Sequence, residues 1–279
     1  MFTKLLIFCF FIILRSCNGH PMPVVSTQQI THPINIHIMK TYRVLLAIIL
    51  LPVLISASYT GSDPQNKLSK KEKKQGWQLL FDGQSLTGWK GYNADQVFSC
   101  WSVVNGELVC KGEGGSETAG DIITAGQYDN FELQLEWCIS KGGNSGIFYH
   151  VLEGKQYHAA YETAPEYQLI DDAGWPGKLE EWQQTGADYA MTPAAKDKKL
   201  KQAGEWNSSR IVYNKGHVEH WLNGKKIVEF QVGSPEWIQK RNDGKWKEYP
   251  DYAKSQTGHI GLQNHGSGVK FRNIKVRPL

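Results

Sequence analysis

The chain has 279 residues, a formal net charge of +4, 11% aromatic residues and 28 glycines. Much of the positive charge sits in an amino-terminal leader and in the run Lys67–Lys74. The rest is near neutral, which argues against a polyanion such as nucleic acid as the partner. Aromatic and glycine content favours many short strands joined by turns. Aromatic rings also stack on sugar faces, although filling a core is their commoner use.

In chain order, residues 1–14 are apolar behind Lys4, and a second start signal stands at Met39. Lys40 and Arg43, the apolar run Val44–Ile55 and the small residues Ser56-Ala57-Ser58 read as a signal peptide over 39–58. Residues 1–38 then read as an upstream translation artefact. The alternative starts at Met1 and cuts at Leu14-Arg15-Ser16-Cys17, a lipoprotein-like site that Arg15 makes a poor one. Both give an exported protein, periplasmic or extracellular. The mature chain has no transmembrane helix, because the second run is short and broken by Pro52. Residues 59–75 read as a polar linker or short surface helix, and 76–279 as one domain.

Within that domain, Gly76–Leu80 is the first expected strand, followed by a loop anchored by Leu86 and Trp89. Phe98–Lys111 is a hairpin about Asn105-Gly106, with 104 opposite 107 and 101 opposite 110. That register sends Cys100 and Cys110 to opposite faces, so no structural disulfide is expected, and the cysteine spacings do not resemble a zinc site. Strands follow at 121–124, 131–137, 147–151, 167–170, 210–213, 218–222, 226–231, 259–263 and 269–276. Gly142–Gly146 reads as a tight turn, Asn223-Gly224 as a second hairpin turn, and 234–256 as irregular or briefly helical. The pattern specifies an all-β jelly-roll sandwich of two antiparallel sheets.

The most informative stretch is Glu166-Tyr167-Gln168-Leu169-Ile170-Asp171. As a strand it places Tyr167 and Leu169 on a core face and Glu166 and Gln168 on the other, with Asp171 at its end. Glu166 is a candidate acid or base, or a solvated surface carboxylate. Asp171 is its candidate partner, or a turn cap. Gln168 suits hydrogen bonding to hydroxyls. His265 lies in a glycine-flanked turn and is a candidate acid or base, or a turn histidine bonded to backbone, and Gln263 faces away from the core set by Ile260 and Leu262. Asn144 and Ser145 can donate to sugar hydroxyls or make ordinary turn contacts. Tyr149, Tyr189 and Trp182 are stacking platforms or core and rim residues. His220 reads as a satisfied, half-buried histidine. Glu166, Asp171 and His265 can contribute ligands to a divalent metal ion, but their spacing specifies none and no cofactor is assigned.

Several segments together resemble the 3-keto-disaccharide hydrolase domain family, once known only as a domain of unknown function. They are Gly76-Trp77 with Leu80-Phe81-Asp82-Gly83, Leu86-Thr87-Gly88-Trp89, and Trp101 before Asn105-Gly106. Next come Asn144-Ser145-Gly146-Ile147, Glu166-Tyr167-Gln168 with Asp171, and Thr185-Gly186 with Tyr189. Gly204-Glu205-Trp206-Asn207, Asn223-Gly224, Gly258 through Gly266 and Phe271-Arg272-Asn273-Ile274 complete the set. The resemblance implies a concanavalin A-like sandwich and a carbohydrate substrate whose sugar carries a ketone at C3. Such chemistry requires a base for the acidified C2 hydrogen, donors to the enolate oxygen and an acid for the leaving group. Two rivals stand beside it. A retaining glucanase would use Glu166 and Asp171, whose opposite parity then demands a bulge. A lectin-like carbohydrate-binding module would have no catalysis at all.

Overall fold

The computed structural model describes residues 65–112 and 120–279. The expected leader and residues 59–64 lie outside the described residues. Ser69 opens a short surface helix, α1 (Lys70–Lys74), in a capping box with Glu72.

Thirteen strands follow among the described residues. The first seven are β1 (Gln78–Leu79), β2 (Trp89–Gly91), β3 (Trp101–Val104), β4 (Glu107–Cys110), β5 (Ile122–Thr124), β6 (Phe131–Ile139) and β7 (Asn144–Val151). The rest are β8 (Glu166–Ile170), β9 (Asn207–Asn214), β10 (His217–Leu222), β11 (Lys225–Gln231), β12 (His259–Leu262) and β13 (Val269–Pro278). Between β11 and β12 come helix α2 (Pro235–Asp243) and a 3-10 turn, Lys245–Glu248. One sheet runs β11-β10-β9-β6-β13-β4-β3, with β1 also on β13; the other runs β2-β5-β12-β7-β8. Every pairing is antiparallel. The all-β sandwich of two antiparallel sheets expected from the sequence is the architecture observed. Among the described residues no helix is long and apolar enough to cross a membrane.

Alternation explains the two layers. Phe131, Leu133, Leu135 and Trp137 of β6 turn inward and meet Ile147, Tyr149, Tyr167, Leu169, Ile260 and Leu262 from the other sheet in one core cluster. The Asn105-Gly106 turn has φ of 51° and 79° and sets the expected register, Val104 opposite Glu107 and Trp101 opposite Cys110. A third turn of this kind, Lys215-Gly216 with φ of 52° and 80°, joins β9 to β10 without the asparagine that marks the other two. Two local expectations are corrected. Residues 144–146 are the first residues of β7, held by pairing with Ile170, Leu169 and Gln168. Cys100 lies in a turn outside the β3–β4 ladder, so its thiol reaches that of Cys110 instead of facing away; no disulfide joins them.

Candidate active site

Strand β8 carries the site. Tyr167 and Leu169 fill the core, which turns Glu166 and Gln168 to the outer face of the five-stranded sheet, opposite Phe148 and Gly146. A Cβ at Gly146 would lie 2.2 Å from Glu166 Oε1, so the carboxylate rests directly over that glycine and needs its missing side chain. One strand further, the Gln263 N–H donates to the Gly146 carbonyl at 3.0 Å, bringing Gln263 alongside. Asp121 precedes β5 with the parity of Ile123, and its Oδ1 accepts the Asn264 N–H at 2.9 Å. The free edge of β8 is closed by residues 186–189: Tyr189 N–H donates to the Glu166 carbonyl and Gln168 N–H to the Ala187 carbonyl. Past that edge, Trp246 and Tyr252 stack at 4.1 Å, and Trp246 Nε1 donates to the Tyr189 carbonyl. Lys245 Nζ stands 4.7 Å, 4.9 Å and 4.8 Å from the rings of Tyr161, Tyr189 and Trp246.

The electrostatics are unusual for a surface sheet. Glu166 is only 4% exposed. Burial pushes its pKa up to about 8; the Lys245 cation opposes the rise and the Asp121 charge adds to it. Burial likewise raises Asp121 to about 7 against the bond from Asn264. Asp188, fully buried opposite Tyr167, is held well above the usual carboxylate range by burial, with Lys240 opposing and Glu166 reinforcing. Gln168 Oε1, Gln263 Oε1, Asn144 Oδ1 and both Asp188 carboxyl oxygens are buried and lack a hydrogen-bond partner among the described residues. Buried polar atoms in native proteins are nearly always paired, so a cluster of unpaired acceptors beside an uncommitted carboxyl marks a surface built for something outside the fold.

Residues 76–277 match the family model described as the 3-keto-alpha-glucoside-1,2-lyase-like domain. The chain belongs to this family. A relative from Bacteroides thetaiotaomicron, named 3-keto-disaccharide hydrolase, is 36% identical over 229 residues, 73% of this chain and 79% of its own length. Two solved structures from Parabacteroides distasonis, both provisionally assigned as glycosyl hydrolases, are also similar. One is 45% identical with a TM-score of 0.73, covering 77% of this chain and 100% of its own. The other is 32% identical with a TM-score of 0.57, covering 73% and 99%. Family membership thus matches the resemblance carried by the sequence motifs, and the chain is carbohydrate-active in type.

Of the residues the sequence singled out, the structure brings Glu166, Gln168 and Gln263 together. Asn144, opposite Ile170, lies at the far end of the same face. Tyr189 is half-buried beside Lys245 and Trp182, at the edge of the site. His265 follows Gln263 by two residues, half-buried and without a side-chain hydrogen bond to the described residues. Asp171 is elsewhere. Its Oδ2 accepts the Gly142 N–H at 2.8 Å and its carbonyl the Trp175 N–H, so it secures the turn before β7. The β7–β8 register has no bulge, and five residues of strand separate Asp171 from Glu166 by roughly 17 Å. Ser145 and Tyr149 are corrected too. Both point into the sandwich, fully buried, with Ser145 Oγ bonded to the Gln263 carbonyl and Tyr149 Oη to His220 Nε2. His220 is wholly buried and satisfied by Tyr149 and the Gly186 carbonyl.

Glu166, Asp171 and His265 do not assemble a ligand set. Among the described residues the three-ligand group is His217, Glu219 and Glu229 on the opposite sheet, where Lys226 already pairs with both carboxylates. Sequence reading missed Asp121, Asp188 and Lys245. The parity of Asp121 with Ile123 was a usable signal; Lys245 lies in a stretch without periodicity and gave none.

Proposed function

We propose that this chain cleaves 3-keto-glycosides on the Glu166 face, by proton abstraction from C2 followed by loss of the C1 oxygen. The observation that carries the reading is the Glu166 carboxyl: buried, without a hydrogen bond among the described residues, raised to about 8, and laid over Gly146 between Gln168 and Gln263. A ketone at C3 delocalises the electron pair left when C2 loses its proton, giving an enolate. Glu166 in its carboxylate form takes that proton. The Lys245 cation, which already acts on Glu166, is placed to offset negative charge on the enolate oxygen. The pair then returns to form the C1–C2 double bond, and the C1–O bond breaks. The departing oxygen takes a proton from an acid, a role suited to Asp121 at about 7. Water adding across C1–C2 makes the net reaction a hydrolysis. The unpaired oxygens of Gln168 and Gln263 accept sugar hydroxyls. The name of the Bacteroides thetaiotaomicron relative supports this substrate class.

The test is turnover of a 3-keto-glucoside in heavy water. The wild type should release the aglycone and exchange hydrogen at C2. Glu166→Gln should lose on the order of 10²–10⁴ in kcat/KM, as for other general bases. Unimpaired turnover in that variant would end the proposal. Binding without turnover in the wild type would favour the lectin-like reading. Export belongs to the same proposal and rests on residues 39–58 alone; a mature amino terminus near residue 59 would support it.

A further inference from the structure

A cavity of about 450 Å³ lies on the other side of the sandwich. Its floor is a row across four neighbouring strands. Trp221 of β10 stands opposite Arg210 of β9, Arg210 opposite Gln134 of β6, and Gln134 opposite Lys275 of β13. Three inter-strand steps make the row about 14 Å long. Ser69 and Glu72 wall it at the Lys275 end, and Gly224 at the Trp221 end. Gln134 alternates with Leu133 and Leu135, which fill the core, as Glu166 alternates with Tyr167. The two sites therefore occupy opposite outer faces.

Most charges in this groove are already matched; Lys67, exposed on its lining, is the one without an ion pair among the described residues. Arg210 pairs with Glu132 at 2.6 Å, Lys275 with Glu72, and Glu136 with Arg272 at 2.6 Å. Glu72 is held down at about 2, chiefly by the bond from Lys275, so it stays ionised and paired. An ionic ligand would have to break these pairs. What the groove still offers is the remaining donors of Arg210, the carbonyl oxygen of the Gln134 amide, whose nitrogen donates to Glu132 at 3.0 Å, and the ring of Trp221, whose N–H donates to Glu219 at 2.8 Å and which the Arg210 guanidinium steadies 4.6 Å from its centroid. An apolar ring face beside neutral and charge-paired hydrogen-bonding groups matches a sugar chain, whose rings alternate apolar faces with hydroxyl edges. We propose that this groove is a second carbohydrate-binding site, for a short stretch of neutral glycan, binding without turnover.

The test is calorimetric titration of the full chain, and of its Glu166→Gln form, with neutral gluco-, manno- and galacto-tetrasaccharides and a sulfated tetrasaccharide. A neutral tetrasaccharide should bind both forms. Trp221→Ala should weaken it about tenfold, the loss of one stacking contact. Gln134→Ala, which leaves the core untouched, should weaken it a fewfold. Neither should change turnover of a 3-keto-glucoside. Isotherms of both variants that overlay the wild type would overturn the proposal. So would binding of the sulfated chain alone, or of none of the four. A failure of Glu166→Gln to impair turnover would count against the catalytic reading and leave this one standing.

Discussion

At the residue scale, Glu166 sets the pH behaviour. With a pKa of about 8 it is mostly protonated at neutral pH, so its basic form grows as pH rises. The prediction is a bell-shaped kcat/KM for 3-keto-glycoside cleavage, falling below pH about 7 and above pH about 8, because Glu166 must be ionised while Asp121 keeps its proton; a profile flat between pH 6 and 9 would contradict it. Lys245 holds the Glu166 pKa down, because its charge favours the carboxylate. Lys245→Met should therefore shift the profile to higher pH and lower the rate at pH 7, and an unshifted profile would remove Lys245 from the site. Gly146→Ala tests the close approach directly. An added Cβ would meet Glu166 Oε1 at 2.2 Å. Because β7 is held on both sides, the carboxylate must swing away. Turnover should fall steeply while the protein still folds, as read by circular dichroism.

At the element scale, β8 was legible because one face had to be apolar and a period of two settles which side chains share a face. The same rule excluded a Glu166–Asp171 pair, since only a bulge could align them and none occurs. The cover over the β8 edge was not legible. Residues 234–256 hold Trp237, Trp246 and Tyr252 in an aromatic stack with no strand or helix period, so the sequence could not say which strand they pack beside. Gly142–Gly146 misled for a related reason: glycine and asparagine signal turns, yet here Gly146 serves a strand that must leave room for Glu166. Trp246 tests whether the cover matters. It is fully buried and bonded to the Tyr189 carbonyl. Trp246→Ala should cost about 3–5 kcal/mol. Trp246→Phe keeps most of the stack and loses the bond, about 1 kcal/mol. Turnover in the phenylalanine variant should fall more than its small drop in Tm explains, because Tyr189 and Lys245 lose their support.

At the scale of the whole molecule, the site works against the stability of the fold, and the sign follows from the direction of each shift. Glu166 and Asp121 have folded pKa values above their ordinary ones, so the native state binds more protons than the unfolded chain between about 4 and 8. Stability falls as pH rises through that window. His220 acts in the opposite sense. Burial lowers it to about 4, so acidification from pH 6.5 towards 4 favours the unfolded, protonated chain. Three raised carboxyls, Glu166, Asp121 and Asp188, oppose two lowered imidazoles, His220 and His150, and the carboxyl window extends further into alkali. Net stability should therefore peak on the mildly acidic side and decline towards pH 9. Glu166→Gln, close in shape to the acid and unable to ionise, should remove part of that decline. Its Tm should match the wild type near pH 5 and exceed it at pH 9, by an amount reflecting a few kcal/mol, on the order of the desolvation it relieves. A variant Tm displaced equally at pH 5 and pH 9 would mean that Glu166 is ordinarily solvated. The carboxyl would then lack the raised pKa on which both its proposed chemistry and its cost to the fold depend.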